Sequence, residues 1–149
     1  AGSLKNWAAS ATHYTELIAA FPKFEQLADA RYGLGWAQQN QNQLAPAIAT
    51  YEKVTEETDS ETAAKARFMI GECYFAQKQH EQAIEHFLKA AFGYSYELWC
   101  GNAHFEAARC FEVLKQIDQA KDSYRTIVEK YPKHEKAKLA AERIKELGG

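Results

Sequence analysis

One segment of the chain recurs three times at nearly constant spacing, and this recurrence limits the possible folds more than any other feature. The copies are "LGWAQQNQNQLAPAIATYEKV" from residue 34, "IGECYFAQKQHEQAIEHFLKA" from residue 70 and "AARCFEVLKQIDQAKDSYRTI" from residue 107, so they lie 36 and 37 residues apart. A period of this length is typical of proteins in which each repeat is one pair of helices. Many matched positions at a fixed offset are not expected by chance.

The matched positions are those that pack two helices together. A small residue comes near the start of each copy, an alanine twelve residues later and an aromatic residue four further on. These structural repeat positions are Gly35, Gly71 and Ala108, then Ala47, Ala83 and Ala120, then Tyr51, Phe87 and Tyr124. In the middle copy Ala83, Ile84 and Phe87 lie on one apolar stripe at helical spacing. Since no segment alternates as a strand does, the sequence predicts an all-α chain.

The order small residue, alanine, aromatic residue and then proline, with Pro132 closing the last copy, resembles the tetratricopeptide repeat (TPR). The phrases "FPKF" and "YPKH" resemble bacterial envelope TPR proteins such as the periplasmic accessory protein of the Tol–Pal system. The phrase "AAKARFMIGECYF" resembles repeats of planctomycete TPR proteins. The chain departs from the family where Arg31, Arg67 and His104 replace the usual tryptophan early in the first helix. The resemblance implies a right-handed superhelical α-solenoid of antiparallel helix pairs that binds other proteins.

The alignment of the copies also predicts where repeats begin and end. We expect about eight helices in a single domain over 1–149, with a half repeat (second helix only) at 4–23, full repeats at 24–59, 60–94 and 95–132, and a capping helix at 133–149. Because the chain begins inside a repeat, it is expected to be an excerpt of a longer array. In the capping helix, Leu139, Ile144 and Leu147 are expected to point inward.

The first helix of each pair is expected to line the concave side of a curved array, and residues three or four apart share that face. The twelve candidate partner-binding residues are Asp29, Tyr32, Trp36 and Gln39, then Lys65, Phe68, Glu72 and Phe75, then Asn102, Phe105, Arg109 and Glu112. They favour an aromatic groove for an apolar peptide or helix, anchored by Trp36. The alternative is that these rings only pack against neighbouring helices.

No pattern in the chain predicts catalysis, a cofactor or a metal. Gly33 and Gly35 lack the preceding strand and the third glycine of a dinucleotide-binding loop. His80 and His86 are six residues apart, so they face different sides of a helix and cannot share a metal ion. The three cysteines show no C-x-x-C spacing and are expected to be buried and free. We therefore expect a protein that is not an enzyme.

Charge and hydropathy narrow the class of partner. A net charge of −2 argues against a nucleic-acid partner, and no apolar run is long enough to span a membrane. Residues 1–64 hold 4 basic and 8 acidic groups, whereas residues 121–149 hold 8 basic and 5 acidic groups. This asymmetry, together with the half repeat that carries Trp7 and Tyr14, allows self-association through the ends of the array.

Three functions therefore stay open at the level of sequence. The first is a module that binds a peptide or protein on the concave face. The second is a scaffold that assembles with copies of itself, and the third is a regulatory domain of a larger enzyme. The compartment is also open, because free cysteines favour a bacterial cytoplasm and the envelope resemblance favours the periplasm.

Overall fold

A computed structural model describes residues 4–20 and 26–149, and every described element is a helix. The helices of this part of the chain are α1 (Leu4–Ala20), α2 (Leu27–Asn40), α3 (Leu44–Glu57), α4 (Glu61–Ala76), α5 (His80–Phe92), α6 (Glu97–Val113), α7 (Ile117–Lys130) and α8 (Ala137–Glu146). The all-α prediction is thus confirmed. The phrase "FPKF", with Pro22, lies outside the described residues.

Two compact units divide the chain after Cys73, and each is described here by itself. In the first unit α1 packs on α2, and α2 packs on α3. In the second unit α5 packs on α6, α6 on α7, and α7 on α8. Each of these pairs of successive helices is therefore packed as a hairpin, as short helix–helix connections favour.

The turn between the two helices of each copy has the same backbone form. Its central residue lies in the left-handed region, with φ of 61° at Asn42, 60° at Lys78 and 63° at Lys115. The next residue is the recurring glutamine, whose N–H donates to a carbonyl of the preceding helix; the bonds are Gln43 to Gln38 (2.9 Å), Gln79 to Tyr74 (2.9 Å) and Gln116 to Phe111 (2.8 Å). These bonds satisfy carbonyl groups that the end of a helix would otherwise leave unpaired.

The small and aromatic repeat positions meet in the core. A Cβ atom added to Gly35 would lie 2.7 Å from the ring of Tyr51, which is fully buried. In the second unit Ala108 and Tyr124 belong to one buried cluster that also contains Phe105. Gly35 is therefore small because the ring of the paired helix occupies the space beside it, and no phosphate is needed to explain it.

The last helix differs in one respect from the sequence expectation. Ile144 and Leu147 pack against the buried cluster, and Ala137 and Ala140 belong to it, but Leu139 is 44% exposed. The prediction that Leu139 points inward is wrong because the inward stripe of α8 runs through the two alanines at helical spacing. Leu139 lies on a different side of the helix.

Two further properties concern the chain as a whole. All three cysteines are buried and free, as expected from their spacing. Within residues 4–20 and 26–149, no helix combines the length and apolar character that crossing a bilayer requires.

Replacement of Lys78 by glycine should raise the free energy of unfolding by roughly 0.5–1 kcal/mol, because a left-handed backbone is costly for lysine and not for glycine. Lys53→Gly, the same exchange at an exposed position within α3, should lower the free energy of unfolding by about 1 kcal/mol. Urea unfolding of both variants beside the wild type measures these differences. A destabilised Lys78→Gly variant would contradict the turn geometry.

Candidate functional site

In the first unit, three predicted site residues connect α2 to the helices that follow it. The ring of Tyr32 packs against the ring of Tyr51 with centroids 5.5 Å apart, and Lys65 Nζ lies 4.9 Å above it. Burial raises the pKa of Tyr32 to about 12. Asp29 Oδ1 accepts a hydrogen bond of 2.6 Å from the hydroxyl of Thr62. Contacts within the first unit therefore already cover part of each of these side chains.

Trp36 differs from its neighbours because 48% of it is exposed. Its ring is tilted by 46° against the ring of Trp7, with centroids 5.7 Å apart. One turn further, Gln39 Oε1 accepts a hydrogen bond of 2.8 Å from the hydroxyl of Tyr51. Trp36 therefore packs against Trp7 on one side and is open to solvent on the other, whereas the side chain of Gln39 is hydrogen-bonded to a buried tyrosine.

The predicted site residues on α4 are half-buried. Phe68 and Glu72 lie in the first unit, where burial and then the charge of Glu72 raise the pKa of Cys73 to about 12. Phe75 lies in the second unit. The Arg109 guanidinium is 5.3 Å above its ring, and the His80 ring approaches with centroids 5.2 Å apart. The face of Phe75 is thus covered by a cation.

Phe105 in α6 repeats the arrangement of Tyr32. Its ring meets the ring of Tyr124 at a centroid distance of 5.5 Å, and Lys136 Nζ lies 4.8 Å above it. Only 6% of Phe105 is exposed. Asn102, one turn earlier, has a buried Oδ1 with no hydrogen-bond partner among the described residues.

Glu112 is the centre of a polar network at the carboxyl end of α6. Its Oε2 accepts hydrogen bonds from the Tyr124 hydroxyl at 2.5 Å and from Arg143 Nε at 3.2 Å, and its Oε1 is paired with Arg143 Nη2. Burial alone would raise the pKa of Glu112. The hydrogen bonds from Arg143 and Tyr124 and the charges of Arg143 and Arg109 outweigh burial, so this pKa lies below its usual value.

The network forms the floor of a groove between α6 and α8, called here the α6/α8 groove. Its volume is about 500 Å³, and it is lined by Phe105, Arg109, Glu112, Val113, Tyr124, Leu139 and Arg143. Val113 is 52% exposed and Leu139 is 44% exposed, so both apolar side chains form the rim. Arg143 also pairs with Glu146, and Arg109 pairs with Glu106 at 2.9 Å. The groove therefore combines an apolar rim with a fixed, charge-balanced floor.

The sequence anticipated part of this lining. Phe105, Arg109 and Glu112 belong to the candidate partner-binding residues predicted from the sequence, whereas Val113 and Arg143 do not. A signal for Arg143 was available, because one further period of 37 residues leads from Asn102 to Leu139 and from Glu106 to Arg143. Helix α8 thus has the register of a first helix.

His104 is the most unusual polar side chain of the second unit. It is 1% exposed, and neither ring nitrogen has a hydrogen-bond partner within the described part of the chain. The ring of Phe92 meets it edge-on with centroids 4.9 Å apart, and the ring of Tyr131 lies at 6.3 Å. Burial, and then the charge of Lys130, lowers the pKa of His104 to about 4. The described residues contain no group of His, Cys, Asp and Glu side chains that could hold a metal ion.

Comparison with known families gives two matches. The model of the family described as anaphase-promoting complex, cyclosome, subunit 3 matches residues 40–127, which is more than half of the chain. The model of the family described as tetratricopeptide repeat matches residues 1–62. No curated protein matches the chain.

The buried, neutral imidazole of His104 should make the fold sensitive to acid. Because its pKa is about 4 in the folded chain and 6.5 ordinarily, the unfolded chain binds the proton more readily, and stability is lost as the pH falls from about 6.5 to about 4. The loss attributable to His104 should approach about 3 kcal/mol at pH 4. Urea unfolding at several pH values, for the wild type and for His104→Leu, measures it. Parallel pH curves for the two proteins would contradict this expectation.

Proposed function

We propose that this chain, which belongs to the tetratricopeptide repeat family, is a non-catalytic module that binds a peptide or protein segment through the face of its first helices. Repeats of this family generally serve in protein–protein interaction, so the class of function follows from membership. The finer proposal concerns the site, and it names the α6/α8 groove as the place of strongest binding. The resemblance to bacterial envelope proteins stays a prediction.

The α6/α8 groove carries this proposal because it is concave, partly apolar and held in place. A volume of about 500 Å³ is within the usual range for ligand sites. Val113 and Leu139 supply exposed apolar surface at its rim. Hydrogen bonds from Tyr124 and Arg143 fix Glu112 beneath them, so little has to be ordered when a ligand binds.

The groove favours a large apolar side chain of the partner. Arg143 neutralises Glu112 within the floor, and Arg109 is paired with Glu106, so a buried charge of the partner would find no free counter-charge. An apolar side chain between Val113 and Leu139 would instead remove exposed apolar surface from water. In the first unit, the half-exposed ring of Trp36 supports a further contact on the predicted concave face.

The non-catalytic assignment is supported by the state of the groove's own carboxylate. Glu112 accepts bonds on both oxygens, and its pKa lies below the usual value. A general acid or base needs a pKa raised toward neutrality and a free lone pair or proton directed at the substrate. Glu112 has neither, so its role is to hold Tyr124 and Arg143 in position.

Selection of peptides from a random phage-displayed library, followed by affinity measurement with synthetic peptides, tests the groove. Peptides selected on the wild type should lose at least tenfold in affinity for Leu139→Glu, because a carboxylate at the rim is desolvated by an apolar side chain. Stability should change little, since Leu139 is exposed at the surface.

Leu98→Glu is the matched control, because Leu98 is 48% exposed and lies outside the groove. This variant should bind the selected peptides within twofold of the wild type. Equal binding by Leu139→Glu and wild type would overturn the groove assignment. Sedimentation equilibrium on the same samples distinguishes peptide binding from self-assembly, since a mass above the monomer in the absence of peptide would favour a scaffold.

A further inference from the structure

A second cavity lies in the second unit between α5 and α7, and it shares no residue with the α6/α8 groove. This α5/α7 groove has a volume of about 230 Å³ and is lined by Leu88, Phe92, His104, Phe111, Gln119, Asp122, Ser123 and Thr126. The volume is below the range for drug-sized ligands and suits a single long side chain. Nothing in the proposed function above depends on this site.

The α5 wall of the groove is apolar where the fold does not require it. Leu88 and Phe92 are one helical turn apart, and 69% of Phe92 is exposed. The same two positions are Glu52 and Glu56 in the first copy. In the third copy they are Arg125 and Glu129. Because two copies place charged residues there and fold in the same way, the apolar pair at this one site indicates a surface that another molecule covers.

The α7 wall is polar and lies opposite. Gln119, Asp122, Ser123 and Thr126 follow the spacing i, i+3, i+4 and i+7, which places them on one face of the helix. Asp122 is the only residue with a formal charge among those that line the groove. Its bond of 3.1 Å to Arg125 joins two largely exposed side chains on the same helix, and such pairs exchange partners readily.

The floor of the groove is the buried imidazole of His104. The first copy has Arg31 at this position, and its guanidinium is paired with Glu57. Histidine is shorter and, with a pKa lowered to about 4 by burial, is uncharged near neutral pH. The third copy therefore lacks the cation that the first copy carries and presents a neutral floor below an acidic wall.

We infer that the α5/α7 groove binds the side chain of an arginine that a protein partner supplies. The aliphatic stem would lie along Leu88, and the planar guanidinium would stack on Phe92 while donating to the carboxylate of Asp122. A carboxylate ligand is disfavoured because Asp122 would repel it. A wholly apolar ligand would leave the polar α7 wall without partners.

The small compound acetyl-arginine amide tests the site directly in an NMR titration of the whole chain with labelled methyl groups. It should produce saturable shifts in the methyl signals of Leu88 and Thr126. Acetyl-citrulline amide, which has the same shape and no charge, should bind at least fivefold more weakly. The absence of saturable shifts, or equal binding of the two compounds, would overturn the inference.

Two variants separate the groove from the general surface charge. Asp122→Asn should weaken the arginine compound at least fivefold, and Phe92→Ala, which removes the ring on which the guanidinium stacks, should also weaken it at least fivefold. Asp118→Asn is the matched control, because Asp118 is exposed one turn earlier on the same helix and does not line the groove. It should change binding less than twofold. An equal effect of Asp118→Asn and Asp122→Asn would show a non-specific charge effect and refute the site.

Discussion

The structure depends on the contact between an aromatic ring of one helix and the helix that precedes it along the chain. Tyr51 lies so close to Gly35 that no larger residue fits there without a shift, and this proximity fixes how the two helices cross. Full burial of the ring obliges its hydroxyl to find an acceptor, and Gln39, twelve residues earlier, provides it. The same relation recurs in the second unit, where Tyr124 donates to Glu112. The packing contact therefore determines which polar group is allowed near it.

The middle copy lacks this hydrogen bond, and its residues show why the bond is needed in the other two copies. At the two corresponding positions it has Phe75 and Phe87, so neither a donor nor an acceptor is present. The polar pair is needed only where the ring carries a hydroxyl, since an unmatched buried hydroxyl would cost stability. In the third copy the acceptor is charged, and Glu112 can therefore also hold Arg143 of α8. The floor of the α6/α8 groove is thus an extension of the core contact and not a separate construction.

Much of the fold could be predicted from the sequence because a repeat displays the same packing requirement several times. The small residues, alanines and aromatic rings of the three copies identified the helix pairs and the residues that are buried in them. The conformation of the turns was harder to predict from the sequence. A left-handed backbone is usually indicated by glycine or asparagine, whereas here Lys78 and Lys115 adopt it. The α6/α8 groove was even harder to predict from the sequence. It depends on how α8 lies against α6, and the placement of Leu139 at its rim is a tertiary relation that local periodicity leaves open.

Comparison among the copies also separates residues that serve folding from residues that do something else. A repeat that folds with Arg31 paired to Glu57 shows that this position accepts a cation that forms an ion pair. The third copy has His104 instead, buried with both nitrogens unpaired among the described residues, and burial lowers its pKa to about 4. A costly substitution confined to one copy is not explained by the requirements of the repeat, because the other copies meet those requirements without it.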